Sequence, residues 1–250
     1  MVEILMIIAL SITALIVCFF TAMVGSGSGL ILVPLLILSG LTPVQAIAIH
    51  KFEALWTVVS GYRYYKNKQI LMLDFPWYLI FGSIGTFIGA MYIHYIPSIV
   101  LQVIVGIAII IVGFLLVFFN NKSTKTNIKS WKRFVLILSM FIFGLYEGIF
   151  GSGNGFFIAA LFFTLIGSNE LKTVGMITVL AAFWNIIATV THFSFGSLVL
   201  KYALPIGISS MIGAWIGAGY AIKGGKEFVR KAVIIISFVG GTAMLLQVFI

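Results

Sequence analysis

The stretch from Cys18 to Leu38 reads CFFTAMVGSGSGLILVPLLIL, with Gly25-Ser26-Gly27-Ser28-Gly29 at its centre. Each glycine inside a helix costs about 1 kcal/mol relative to alanine, so three in five residues predict a break. The flanks are apolar on both sides and nothing there has the composition of a surface loop. A helix therefore stops, and another starts, in surroundings that exclude water.

The rest of the chain explains those surroundings. Of 250 residues, 62% are hydrophobic and 8% charged, with a mean hydropathy of +1.21. Soluble domains carry roughly 25% charged residues. So few charges cannot cover a water-facing surface, but such a chain can face lipid. Apolar runs of about 20 residues recur, the length that crosses a ~30 Å hydrocarbon core as a helix. A transmembrane barrel would show short alternating strands instead. The fold class is all-α: a polytopic membrane protein of about eight transmembrane helices, placed in the cell membrane.

MVEILMIIALSITALIVCFF at the N-terminus has no basic leader and no small-residue cleavage site. It reads as the first transmembrane helix, not a signal peptide. Cys18, the single cysteine, reads as a packing residue. The net charge of +9 sits between apolar segments, which is the positive-inside pattern and not a nucleic-acid surface.

Helix 1 is expected at about 3–23, followed by the break, a short apolar stretch 29–39 and a turn at Gly40-Leu41-Thr42-Pro43. Helices follow at about 44–61, 75–94 and 98–119, then a polar stretch, NNKSTKTNIKSWKR, at 120–133. Helix 5 at about 133–150 leads to a second break, Gly151-Ser152-Gly153-Asn154-Gly155. A short apolar stretch 156–166 and helices at about 170–194, 201–222 and 228–249 complete the chain.

The second half repeats the first. Gly151 lies 126 residues after Gly25, Gly167 lies 127 after Gly40, and GAWIGAGY (213–220) lies 128 after GTFIGAMY (85–92). Gly241 stands in the same relation to Gly113. The chain divides into a transmembrane repeat 1–119, a basic linker 120–132 and a second repeat 133–250.

With eight spans, Arg63, Lys66, Lys68, Lys122, Lys125, Lys129, Lys132, Arg133 and Lys201 share one side. The positive-inside rule then makes the central loop and both termini cytoplasmic. The basic residues Lys223, Lys226, Arg230 and Lys231 fall on the other side and conflict with that count. An odd count per repeat, with 29–39 and 156–166 re-entrant, would remove the conflict and invert the repeats.

A broken helix at membrane depth is tolerated only where protein or a water-filled cavity covers its backbone. The helix that starts there offers free N–H groups and a partial positive charge, which suits an anion. Glycines let the ligand approach the backbone, and Ser26, Ser28, Ser152 and Asn154 can donate. Paired breaks in two repeats point to a transporter's binding site, so Gly25 to Gly29 and Gly151 to Gly155 are candidate substrate ligands. The competing reading is close helix packing, which is preferred for Gly85/Gly89 and Gly213/Gly217, within or between chains. A homo-oligomer is therefore left open.

The break after helix 1, Pro34 beyond it, the polar loop YRYYKNKQ (62–69) and the second break together resemble the sulfite exporter TauE/SafE family. The resemblance covers essentially the whole chain. It implies seven or eight spans and the movement of sulfite, sulfonates and related organosulfur anions across the bacterial cytoplasmic membrane. Ser28 and Asn154 stand where that family often has further glycines, and the second repeat lacks a counterpart of Pro34.

Ionisable residues inside membrane helices are functional candidates. His50 and Glu53, three apart on one helix face, are a proton-titrating pair, and Lys51 is a counter-charge for the anion. Glu147, four residues before the second break, is a proton-coupling candidate whose alternative is an ion pair with a residue such as Lys51. Asn185 is a candidate substrate donor. His192 reads as interfacial, Glu170 as a helix N-terminal residue, and Trp56, Trp77, Trp131 and Tyr78 as interface anchors.

Three scattered histidines and one cysteine make no metal site, and no cofactor is expected. No Walker motif or nucleophile elbow appears. The expectation is a secondary transporter, not an enzyme, with a small anionic substrate and membrane lipid as partners. The alternative is an intramembrane enzyme acting on a lipid-linked substrate, which would need a cluster of acidic or histidine residues at one interface.

Overall fold

The computed structural model describes residues 2–70, 74–97, 100, 130–168 and 170–248, with backbone alone at 164, 170 and 225–248. The helix expected at 98–119, Gly113, the polar residues 120–129 and the side chain of Glu170 lie outside the described part.

Every regular element among the described residues is helical. α1 is Val2–Val24, α2 Ser28–Leu38, α3 Pro43–Leu55, α4 Val58–Lys66 and α5 Phe75–Tyr92, extended by a 3-10 turn at Ile93–Tyr95. α6 is Ser130–Ile149, α7 Asn154–Leu161 with a π-helical turn Phe162–Ile166, α8 Glu170–Ser194 and α9 Leu200–Val248. Among the described residues, four segments are long and apolar enough to cross a membrane: Val2–Val24, Phe75–Tyr95, Leu171–Ser194 and Leu200–Gly224. The protein is a polytopic α-helical membrane protein.

Local chemistry sets the boundaries. Thr42 and Gln45 form a capping box, with Thr42 Oγ1 accepting from Gln45 N at 3.3 Å and Gln45 Oε1 accepting from Thr42 N at 3.0 Å. Pro43 follows at the first helical position, where its missing N–H costs nothing. The single helix expected over 44–61 is instead broken at Trp56–Thr57. There Trp56 N and Thr57 N bond to carbonyls only three residues back, Glu53 O and Ala54 O. Thr57 Oγ1 donates to Ala54 O at 2.7 Å, a side-chain competitor for a helix carbonyl. In the opposite sense, a turn expected between 222 and 228 is helical, and α9 runs on through Lys223–Glu227. Lysine and glutamate are good helix formers, so this stretch carries no strong stop signal beyond Gly224 and Gly225.

The contacts fix the directions. α1 and α9 run parallel: Glu3 pairs with Lys201 at 2.6 Å, and Gly213 and Gly217 press on the carbonyls of Leu15 and Phe19. α3 and α4 run the same way, with Phe52 and Trp56 at Gly207 and Arg63 at Gly219. α5, α6 and α8 run oppositely. Asp74 and Arg133 pair at 2.5 Å where α5 and α6 begin, and Gly89 meets Leu145 and Ile149 further along. Trp184 lies on Gly82 and His192 near His94, which sets α8 parallel to α5. Gly61 on Val179 and Gly175 on Gln69 set α8 antiparallel to α4.

α1 and α6, each of which leads into a glycine break, therefore run in opposite directions. α2 lies antiparallel to α3, with Ser28 at Glu53 and a tight turn after Leu38. It is a re-entrant piece that returns to the face from which α1 entered. α7 does the same for α6, bringing Leu165 O to Lys132 Nζ at 3.5 Å.

This geometry resolves the conflict over basic residues. Arg63, Lys66, Lys68, Lys132, Arg133 and Lys223 lie toward one face, whereas Lys201 lies with Glu3 on the other. The start of α1 is on the face opposite Arg133. The expectation that the N-terminus shares a side with the end of the linker changes accordingly, because re-entrant α2 and α7 alter the number of crossings.

α5 packs on α6, and α9 on α1. A Cβ at Gly85 or Gly89 would strike the carbonyl of Phe141 or Leu145, and one at Gly213 or Gly217 that of Leu15 or Phe19. These glycines are close-packing sites, as expected, and the packing is within the chain.

Some aromatic and histidine residues differ from their expected places. Trp77 and Trp131 are exposed on the outer surface, but Tyr78 is buried against Phe162 at 5.7 Å and Trp56 packs on Gly207. His192 is fully buried beside His94, their ring centroids 5.2 Å apart, and is not interfacial. Both residues face inward because their helices are surrounded by neighbours, which periodicity alone does not reveal.

Candidate functional site

The two breaks have the same backbone. Gly25 and Gly27 have φ of +87° and +113°, and Gly151 and Gly153 have +75° and +82°. These values fall in the left-handed region where only glycine sits without strain. Gly27 and Gly153 are the N-cap residues of α2 and α7, and neither start has a side-chain cap. Neither break therefore caps its own helix, whose first N–H groups form the positive end of its dipole; Gly155 N is instead taken by Ser26 Oγ from the other break.

Because α1 and α6 run oppositely and both end in breaks, the breaks meet in the interior between the two faces. Gly155 N donates to Ser26 Oγ at 3.1 Å. Gly155 has no room for a Cβ, which would come within 2.6 Å of Ser26 Cβ and 2.9 Å of Gly25 O.

A buried carboxylate serves the first residue of each new helix. Ser28 Oγ donates to Glu53 Oε2 at 3.1 Å, and Asn154 Nδ2 donates to Glu147 Oε2 at 2.9 Å. The carboxylates are not repeat equivalents, but both lean on α3. His50 Nδ1 lies 2.8 Å from Glu53 Oε2, and Lys51 Nζ donates to Glu147 Oε1 at 2.9 Å. Lys51 and Glu53 are wholly buried. Cys18 completes the first group by donating its thiol to Glu53 Oε1 at 2.6 Å.

Between these groups lies a narrow cavity of about 30 Å³, room for one or two waters. Of the expected residues, Gly25, Ser26, Gly27, Ser28, His50, Glu147, Gly151, Ser152, Asn154, Gly155 and Asn185 line it. Lys51, Glu53, Gly29 and Gly153 stand behind the wall. Gly29 is backed closely by the His50 ring, and Lys51 by Gly151 and Glu147. Asn185 donates Nδ2 to Ala181 O at 2.7 Å and leaves Oδ1 without a partner.

Sequence reasoning missed Thr21, Thr57 and Trp184 in the wall, and Cys18 as a donor. Thr21 carried a signal, a polar residue four before Gly25 in an apolar run. Trp184 adjoins Asn185 and carried none: it reaches the wall because its indole lies against Gly82, whose Cβ would occupy the same space. Among the described residues, no group of three or more His, Cys, Asp and Glu could hold a metal.

Residues 10–244 match the sulfite exporter TauE/SafE family model. The chain belongs to that family. It is 27% identical over 226 residues to a "Probable membrane transporter protein" of Haemophilus influenzae, covering 89% of this chain and 88% of that one. It is 27% identical over 234 residues to "Probable membrane transporter protein ORF9" of a Sinorhizobium species, covering 91% and 88%. It is 27% identical over 239 residues to "Probable membrane transporter protein YfcA" of Escherichia coli K12, covering 92% and 88%. No solved structure matches the chain.

Proposed function

We propose that this membrane transporter is a secondary permease for small anions of the sulfite, sulfonate and related organosulfur class. It moves them through the cavity between the two broken helices, near the membrane midplane. The observation that carries this reading is the meeting of two helix starts, one after each glycine break, where Ser26 Oγ of one takes the Gly155 N–H of the other. Each start is an anion-favouring dipole end, and at Gly27, where a Cβ would meet nothing nearer than 3.8 Å, the backbone is open to a ligand. At about 30 Å³ the cavity is smaller than a sulfonate, so binding requires the breaks to move apart.

The buried groups supply proton coupling. Lys51 is neutralised by Glu147, so a proton on Glu147 releases Lys51 as the counter-charge for the incoming anion. His50 lines the cavity and is held by Glu53; protonated, its free Nε2 becomes a donor to the same anion. In this scheme transport is ordered by two proton sites beside two helix starts. The positive-inside rule assigns the face with Arg63, Lys66, Lys132, Arg133 and Lys223 to the cytoplasm, which puts the start of α1 outside.

Uptake of radiolabelled sulfite, taurine and sulfoacetate into proteoliposomes, with and without a pH gradient, tests the proposal. Saturable flux of at least one of them is expected, faster with the gradient. Absence of flux for every anion overturns it.

A further inference from the structure

The polar atoms around the cavity are unevenly matched. Asn154 gives Nδ2 to two acceptors, Phe143 O and Glu147 Oε2, both at 2.9 Å. Asn185 gives Nδ2 to Ala181 O. A flip of either amide would set oxygen against oxygen, so both orientations are fixed by their partners. What remains is Oδ1 of each, buried and without a hydrogen-bond donor. Two hydroxyls of the same wall, Thr21 Oγ1 and Ser152 Oγ, are also buried and unpartnered. All four residues line the cavity and are more than nine-tenths buried. Glu147 lies among them.

The charges point the same way. Beside the cavity, two buried carboxylates, Glu53 and Glu147, share one lysine, Lys51, with His50 against Glu53. Buried charge without a counter-ion is strongly unfavourable. A cavity of about 30 Å³ has room for a particle of water or bare-ion size.

We propose that this cavity binds a monovalent metal cation of sodium size, held by Asn154 Oδ1, Asn185 Oδ1, Ser152 Oγ and Thr21 Oγ1 beside the Glu147 carboxylate. Its role in transport rests on the anion reading above: the cation neutralises the site, so that an anion approaching the helix starts meets no net negative charge. Anion and cation then travel in the same direction.

The test uses the purified full-length protein in detergent without any organosulfur anion. Melting temperature is measured in sodium chloride and in choline chloride at equal ionic strength. Sodium is expected to raise Tm in a saturable way and choline is not. Ser152→Ala removes an oxygen that makes no hydrogen bond, so it should fold and raise the half-saturating sodium concentration several-fold. Asn185→Leu should abolish the sodium effect. Equal melting in both salts means that the wall holds water only and overturns the inference. Wild-type half-saturation retained in a folded Ser152→Ala also contradicts it. A second arm measures anion uptake at fixed pH with and without a sodium gradient. A sodium-dependent Tm without any anion flux would uphold the cation site and defeat the anion reading. Anion flux indifferent to sodium, with equal melting in both salts, would do the reverse.

Discussion

Ser26 Oγ accepts a hydrogen bond from Gly155 N at 3.1 Å, and through it the break after α1 is tied to the break after α6. The two residues are 129 positions apart in sequence and on helices that run in opposite directions. The contact marks the place where both dipole ends meet.

Gly155→Ala should therefore damage transport more than a methyl group suggests. The new Cβ would fall 2.6 Å from Ser26 Cβ, forcing the breaks apart. Ser26→Ala removes only the acceptor, leaving a buried N–H unpaired at a cost of about 1–3 kcal/mol. Flux at equal reconstitution should fall to background in Gly155→Ala and partially in Ser26→Ala.

The Lys51–Glu147 pair has a distinctive thermodynamic signature. Losing one partner of a buried ion pair costs about 3–5 kcal/mol, because the other charge is left uncompensated. Lys51→Met and Glu147→Gln should each lower Tm, and the double variant should melt above the worse single one. All three should lack coupled flux at equal expression. Normal transport by Glu147→Gln would remove this carboxylate from the coupling scheme.

His50 alone of the three histidines lines the cavity. His50→Gln should lower uptake at equal reconstitution. His192→Gln, on a residue buried away from the wall beside His94, should retain it.

The opposite directions of α1 and α6 have a labelling signature. On a Cys18→Ala background, single cysteines at Lys66 and Lys223 should react from one side of the membrane, and at Glu3 and Lys201 from the other. Reaction of Lys66 and Lys223 positions from opposite sides would restore the eight-span, parallel arrangement.

Glycine roles separate by substitution. Gly213→Leu would drive a side chain into the Leu15 carbonyl and should yield no folded monomer. Gly40 has open space around it and φ of +94°, so Gly40→Ala meets backbone strain alone and should cost about 1 kcal/mol with flux retained.

Much of this was legible in the residues. The two glycine breaks and the helix at 170–194 followed from glycine spacing and apolar runs, and the ionisable residues marked the neighbourhood of the cavity. Two kinds of feature were not legible. The direction of each repeat depends on whether α2 and α7 cross or return, and an 11-residue apolar stretch is compatible with either. Partnerships across the fold were also hidden. Lys51 could be named as a partner for Glu147, but the thiol of Cys18 on Glu53 could not, because an apolar-flanked cysteine gives no sign of what faces it. The break at Trp56–Thr57 was masked for a similar reason: Thr57 turns its hydroxyl back on the helix only in a setting that the local pattern does not specify.

The most direct test of the central claim is flux through the two breaks taken one at a time. Gly27 and Gly153 cap α2 and α7 with φ of +113° and +82°, values at which a side chain is strained. Gly27→Leu and Gly153→Leu are reconstituted at the same density as the unaltered protein, and uptake of radiolabelled sulfite, taurine and sulfoacetate is compared. The account predicts that each substitution alone reduces uptake to background while the protein remains folded. Undiminished uptake in either folded variant would contradict it.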